Sequence, residues 1–190
     1  GFFTPTVRYF VYRRSRSGQI PVEVLGDDFG GTVTCDFYGG YNRVGQLQRC
    51  WAHLLRDVTE LADVNADRPE IAAWAVALTA LYREAKAFSH PKARARRQAR
   101  RDFERQAKEL ARPYASDAAA PQRVLAQRII KHLPELFVFV TDPNVSADNN
   151  LAERSLRPAV IARKISGGTR SAKGSETKMA LMSLFGTWAA

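Results

Sequence analysis

The sequence GTVTCDFYGGY, residues 31–41, alternates apolar and polar side chains and then reaches two glycines. Val33 and Cys35 fall on one face of an extended chain, with threonines on the other, as in a half-buried strand. The strand ends at Asp36, where a carboxylate can project from the edge of a sheet instead of being buried in it. Asp36 is therefore a candidate site residue. The alternative interpretation is an aspartate that only caps the turn.

Short elements of both kinds flank this strand. Residues 7–13, VRYFVYR, and residues 46–51, QLQRCW, predict two further strands. A short helix opened by Pro21 is expected over residues 20–28, and an amphipathic helix over residues 53–64.

A long helical stretch occupies the middle of the chain. From Pro69 to about Leu133, Ala, Arg, Leu, Glu and Gln recur at helical spacing. Interruptions near Pro91, Pro113 and Pro121 divide this stretch into three or four helices. The order of elements predicts an α/β fold with a large all-helical insertion.

A second acid lies in residues 146–158, SADNNLAERSLRP. The pattern predicts a short helix that carries Glu153 and ends before Pro158. The alternative is a surface acid paired with Arg157 four residues later. Residues 160–168 are interpreted as strand or loop.

The last predicted helix covers residues 174–189, with Ser175 as its N-cap.

Carboxylates from a strand end and a facing helix can converge on magnesium, a hard cation that prefers oxygen ligands. Asp36 and Glu153 are the candidates for such a site. Cys50 and His53, in CWAH, have the spacing of half a zinc site. Structural zinc needs four ligands, and no second pair has this spacing, so we expect no structural zinc.

The chain is basic, with 29 Lys and Arg against 19 Asp and Glu in 190 residues, a net charge of +10. This balance favours polyanionic partners such as nucleic acid. Six basic residues and no acid lie between Lys92 and Arg101, and seven basic residues and one glutamate lie between Arg154 and Lys178. We expect the helix from Lys92 to Arg112 to contact phosphate without reading bases. The alternative is that such runs are only solvated helix faces.

The composition excludes several classes of protein. Hydrophobic residues make up 45% and charged residues 25%, as in a folded globular chain. No window approaches a membrane span, no signal peptide is evident, and two cysteines are too few for a disulfide framework. We therefore predict a cytoplasmic protein without a membrane partner. A phosphate-binding loop, a dinucleotide fingerprint and a nucleophile elbow are also missing from the sequence.

Three blocks in a fixed order carry a family resemblance. They are SRSGQIPVEVLGDDFGGTVTCDFYGGYNRV (15–44), CWAHLLRD (50–57) and SADNNLAERSLRPAVIARKISGGTRSAKGSE (146–176). Together they resemble the catalytic domain of bacterial DDE transposases of the insertion-sequence-66 family. The blocks cover both ends of the chain and leave the helical middle weakly matched.

This resemblance implies a ribonuclease H-like fold, incomplete on its N-terminal side, with a helical insertion before the last acid. It also implies a divalent metal, magnesium or manganese, held by two aspartates and a glutamate. Asp36 corresponds to the second aspartate and Glu153 to the glutamate, so both are implied as catalytic residues and metal ligands.

Further residues are implied as supporting ones. Cys50 and His53 resemble a Cys-x-x-His signature that follows the second aspartate and lies near the site. Asp148, Asn149 and Asn150 match the run before the glutamate and would position it.

The resemblance implies DNA as partner, both transposon ends and target, and a homo-oligomer in the active complex. The basic runs supply the candidate DNA-binding residues, which are Arg96, Arg97, Arg100, Arg101, Arg154, Arg157, Arg163 and Lys164.

The complete enzyme is expected to cleave and join DNA strands at transposon ends by metal-dependent phosphoryl transfer. The first catalytic aspartate is expected upstream of residues 7–13, so we expect residues 1–190 alone to be inactive. The alternatives are a ribonuclease H-like nuclease that cuts without joining, and a non-catalytic basic DNA-binding remnant of a degraded element. The expected division is 1–66, ribonuclease H-like core; 67–133, helical insertion; and 134–190, remainder of the core with the glutamate and C-terminal helices.

Overall fold

Fourteen short and long elements make up the computed structural model, which describes residues 1–190. In chain order they are β1 (Phe2–Phe3), β2 (Arg8–Tyr9), α1 (Gln19–Leu25), β3 (Thr32–Cys35), a 3-10 turn (Gly39–Tyr41), β4 (Gln46–Arg49), α2 (Trp51–Val64), α3 (Pro69–Ala87), α4 (Ala93–Ala115), α5 (Arg123–Lys131), α6 (Leu133–Leu136), α7 (Val138–Thr141), α8 (Asn150–Ser166) and α9 (Ala172–Trp188). They fall into two units, one of Pro21–Asp148 and one of Gly1–Ile20 with Asn149–Ala190. This helix-rich arrangement with small sheets is compatible with the predicted α/β class.

None of the helices combines the length and the apolar character that crossing a bilayer requires.

The unit Pro21–Asp148 contains a parallel pair of strands, β3 and β4, with Cys35 opposite Arg49. The two predicted strands are confirmed, with shorter bounds than the sequence suggested. Cys35 and Leu47 pack with Val44 in a small buried cluster, against which the side chains of α1 lie. This packing fixes the end of β3, where Asp36 follows.

The helical middle of the chain is confirmed as three helices, α3, α4 and α5. The breaks near Pro91 and Pro121 are confirmed, because α4 and α5 begin two residues after each proline. The predicted break at Pro113 is wrong, since Pro113 lies inside α4. Pro113 has no N–H to donate to the carbonyl oxygen of Glu109, but it lies two residues before the end of the helix at Ala115, so a bend there affects only the last turn.

A large apolar core holds these helices together, and its tryptophans also make polar contacts. Trp51, the first residue of α2, is fully buried, and its Nε1 donates to the carbonyl oxygen of Leu136 at 2.6 Å. Trp74 Nε1 donates to the carbonyl oxygen of Leu110 at 2.9 Å. Both indoles bury their rings without leaving an N–H unsatisfied, which a buried tryptophan requires.

In the other unit, β1 and β2 form an antiparallel pair. The strand predicted over residues 7–13 is confirmed only at Arg8–Tyr9. The Arg8 N–H donates to Thr187 Oγ1 at 3.0 Å, and the Phe10 N–H donates to Ser183 Oγ at 2.9 Å. Hydroxyl groups of α9 thus accept hydrogen bonds from main-chain N–H groups that would otherwise need a third strand as their partner.

Helix α8 differs from the prediction. The helix continues through Pro158 to Ser166, so both the predicted stop before Pro158 and the strand or loop at 160–168 are wrong. The helix ends instead at Gly167, whose φ of 65° is left-handed. Ala159, Ala162, Arg163 and Lys164 have good helix propensity after Pro158, and the glycine provides the C-terminal stop.

The N-cap of α9 is Ser171 and not Ser175, because the helix begins at Ala172. Ser171 Oγ accepts a hydrogen bond from the Gly174 N–H at 3.0 Å, as an N-cap serine does.

Candidate functional site

Asp36 lies directly after β3, in the unit Pro21–Asp148. Its Oδ1 accepts a hydrogen bond from the Tyr38 N–H at 2.9 Å, which closes a turn and fixes the carboxylate relative to the backbone. The residue is half-buried, and no lysine, arginine or histidine forms an ion pair with it. Asp36 therefore presents an oriented carboxylate whose negative charge is not neutralised by a neighbouring side chain.

Arg49, at the end of β4, is fully buried beside this turn. Its Nη1 donates to the carbonyl oxygen of Asp36 at 2.8 Å and to that of Tyr38 at 3.3 Å. Its Nη2 donates to Asn42 Oδ1 and its Nε to Glu135 Oε2, both at 2.5 Å. Sequence analysis did not single out Arg49. No local signal sets it apart, since β4 reads QLQR and two of its other three residues are glutamines.

Glu135 is the anion that neutralises Arg49. Burial raises the pKa of the Glu135 carboxyl, but hydrogen bonds from Arg49 and His132 outweigh burial and lower the pKa overall. Burial lowers the pKa of His132, while its hydrogen bond to Glu135 opposes that shift. Glu135 is therefore ionised at neutral pH, and the buried guanidinium has a charged partner.

The two cysteines lie at the ends of the parallel strands, both as buried thiols that form no disulfide. The Cys50 N–H donates to the Cys35 carbonyl oxygen at 2.8 Å. Burial raises the pKa of the Cys35 thiol to about 12, so this group stays protonated. His53 is half-buried in the first turn of α2. The expected absence of structural zinc stays a prediction.

Glu153 lies in the first turn of α8, in the unit that contains Asn149–Ala190. Its backbone N–H donates to the Asn149 carbonyl oxygen at 3.1 Å. Asn149 is the N-cap and Asn150 the first helical residue, so both asparagines lie one turn before the acid. A carboxylate in the first turn is favoured by the positive end of the helix dipole.

Asp148 belongs to the other unit, where it accepts from Lys86 Nζ at 3.1 Å. Asp36 also belongs to that unit, whereas Glu153 does not. The convergence of Asp36 and Glu153 therefore stays a prediction.

A comparison with protein families decides what kind of protein this is. The model of the transposase IS66 family matches residues 2–177, nearly the whole chain. The chain belongs to this family of transposases. The resemblance seen in the sequence is thus confirmed, and no curated protein and no solved structure matches the chain. As an IS66-family transposase it is a DNA-processing enzyme, and its family implies DNA as the partner.

Transposases of this kind generally use divalent metal ions. Within the transposase, His, Cys, Asp and Glu form no group of three or more that could hold a metal ion. Asp36 and Glu153 do offer the hard oxygen donors that magnesium and manganese prefer. The chemistry of these two donors fits the metal, and Asp36 needs to break no ion pair to bind it.

Two of the four candidate DNA-binding arginines on α4 bind carbonyl groups of the transposase itself. Arg96 donates from Nε to the Thr141 carbonyl oxygen at 3.2 Å and from Nη1 to that of His90 at 2.9 Å. Arg100 pairs with Glu104 at 2.7 Å and donates to the Pro134 carbonyl oxygen at 2.6 Å. These arginines brace α4 against neighbouring segments.

Arg97 and Arg101, by contrast, are exposed and belong to a longer basic row on α4. The row, named here the α4 stripe, consists of Arg94, Arg97, Arg101, Arg105, Lys108 and Arg112. Its spacing of three and four residues keeps these side chains within an arc of about 80° over a length of about 27 Å. Only Arg105 pairs with acids, Asp102 and Glu109, at 3.5 and 3.4 Å. The stripe lies opposite the buried face that contains Phe103 and Ala107.

The candidate residues on α8, Arg154, Arg157, Arg163 and Lys164, are all exposed. The transposase therefore presents a second set of cations in the unit that contains Glu153.

Proposed function

We propose that this transposase cleaves and joins DNA strands at transposon ends by metal-dependent phosphoryl transfer, with Asp36 and Glu153 as catalytic metal ligands. The observation that carries the proposal is the state of Asp36. It is a carboxylate at the end of a parallel strand, oriented by the Tyr38 N–H and paired with no cation. The carboxyl ends of parallel strands are common places for catalytic groups, because loops there stand on a rigid sheet.

Two divalent ions, when bound, stabilise the attacking and leaving oxygens of an in-line displacement at phosphorus. In this proposal Asp36 and Glu153 supply negative charge and oxygen ligands. Asn149 and Asn150 position Glu153 from the start of α8, and Cys50 and His53 lie near the site in this proposal. Water attacks the phosphodiester first, and the released 3′-hydroxyl then attacks the target strand. Each step forms one P–O bond and breaks one.

In this proposal the exposed basic side chains make the contacts to DNA. The α4 stripe and the exposed basic residues of α8 bind phosphates, whereas Arg96 and Arg100 brace the protein. Gln98, the amide nearest the stripe, donates to Asp102 and accepts from Arg101 at 2.5 Å, so its amide is already engaged. Contacts to phosphate position DNA without reading its sequence.

The proposal also includes a ribonuclease H-like core formed by residues 1–66 and 134–190, with residues 67–133 as a helical insertion. It further includes a homo-oligomer in the active complex.

Strand joining tests the proposed reaction. The intact transposase, incubated with duplex DNA carrying the transposon end and with a plasmid target, is expected to yield joined products when magnesium or manganese is present. Chelation by EDTA is expected to abolish both cutting and joining, because carboxylates alone supply no Lewis acid to stabilise the attacking and leaving oxygens. Cutting without joining would identify a nuclease, and DNA binding without cutting would identify a non-catalytic remnant.

A further inference from the structure

The turn that carries Asp36 depends on a single buried side chain. Arg49 in β4 lies opposite Cys35 in β3. Cys35 is the residue before Asp36, where the turn begins. The Arg49 side chain is fully buried, although a guanidinium is costly to desolvate. An apolar side chain could fill this place without a charge, as Leu47 does two residues earlier in β4.

The contacts of Arg49 explain what the charge does there. The guanidinium donates to the carbonyl oxygens of Asp36 and Tyr38 and to Asn42 Oδ1, three points of the segment Asp36–Asn42, which is called here the Asp36 turn. Its remaining Nε–H binds Glu135, which neutralises the charge. One planar group thus holds three points of the turn at fixed directions, which the point-like ammonium of a lysine cannot do.

We propose that Arg49 is a positioning residue for catalysis: it fixes the backbone of the Asp36 turn and thereby sets the direction of the Asp36 carboxylate. The inference rests on the proposed function, because it assumes that Asp36 binds metal. The link passes through the main chain. Arg49 holds the carbonyl of Asp36, and the Tyr38 N–H holds its carboxylate, so both ends of the residue are constrained.

The decisive variant is Arg49→Lys in the intact transposase, with Mn²⁺ binding measured from the free-Mn²⁺ signal in electron paramagnetic resonance. Lysine keeps a positive charge beside Glu135 but lacks the planar guanidinium that donates hydrogen bonds to the turn. We expect the dissociation constant for Mn²⁺ to rise about 10–100-fold, as for losses of outer-shell support around metal ligands. The Mn²⁺ concentration for half-maximal strand cleavage is expected to rise in parallel.

These two readouts separate positioning from folding. Partial unfolding lowers the number of binding sites and the maximal rate, but it leaves the affinity of the folded molecules unchanged. Asn42→Ala, at an exposed residue, is the second variant; it removes one contact of the fork and is expected to raise the Mn²⁺ dissociation constant several-fold. The matched control is Arg43→Lys, the same substitution at an exposed neighbour, with no expected change.

Asp36→Asn tests the proposed metal site separately from the positioning role of Arg49. If Asp36→Asn loses Mn²⁺ binding while folded Arg49→Lys keeps the wild-type affinity, the positioning role is wrong and the proposed function stands. If Arg49→Lys does not fold, unchanged affinity in Asn42→Ala overturns the inference in the same way. If Asp36→Asn binds Mn²⁺ as the wild type does, both the metal site and the positioning role are wrong.

Discussion

Asp36→Asn in the intact transposase is expected to lower strand cleavage at transposon ends by at least about 10³-fold. The effect exceeds the 10–100-fold typical of an outer-shell change, because the substitution removes the charge of a proposed direct metal ligand while keeping its size. Glu153→Gln is expected to have an effect of the same order for the same reason. Rates of single-turnover cleavage on a labelled transposon-end duplex measure both losses.

DNA binding is expected to stay within about twofold of wild type in both variants, because neither carboxylate contributes to phosphate contacts. Asp27→Asn and Glu176→Gln are the matched controls, since they make the same substitutions at exposed acids of the chain. Full cleavage activity in Asp36→Asn or in Glu153→Gln would show that the residue is not a catalytic ligand.

Replacing four cations of the α4 stripe is expected to weaken DNA binding by about three orders of magnitude at 0.1 M salt. The variant changes Arg94, Arg97, Arg101 and Lys108 to glutamine, which keeps helix propensity. Each lost phosphate contact lowers the slope of log affinity against log salt by about 0.9, so the slope is expected to flatten by about 3.6. Fluorescence anisotropy with duplex DNA at several salt concentrations measures the slope.

A second variant with the same net charge separates position from total charge. It changes four exposed cations outside α4 to glutamine, namely Arg43, Arg56, Arg123 and Lys131. We expect its slope to change by less than about one unit. Equal flattening in both variants would mean that the stripe is only a solvated basic face.

Local patterns in the sequence predicted much of the structure around Asp36. Alternation over residues 31–37 identified β3, and the turn glycines placed Asp36 at its end. Helical spacing identified the three central helices. These signals are short-range, since each depends on neighbouring side chains along one element.

The features that sequence analysis missed depend on tertiary contacts or on competing local signals. The role of Arg49 depends on Glu135, which lies 86 residues away in the chain, so no local pattern indicates it. Arg96 and Arg100 were predicted to bind DNA, but they donate to the carbonyl oxygens of Thr141 and Pro134, which lie 45 and 34 residues away in the chain. The predicted end of α8 is wrong, because the helix continues through Pro158 and ends at Gly167.

Iron-directed cleavage of the protein tests most directly whether Asp36 and Glu153 hold the same metal. Fe²⁺ bound in place of magnesium, with ascorbate and peroxide, generates hydroxyl radicals that cut the nearest backbone. For the intact transposase bound to transposon-end DNA, we predict cuts beside both Asp36 and Glu153, both suppressed by excess magnesium and both lost in Asp36→Asn. Cutting beside only one of the two acids, or undiminished cutting beside both in Asp36→Asn, would contradict a shared metal site.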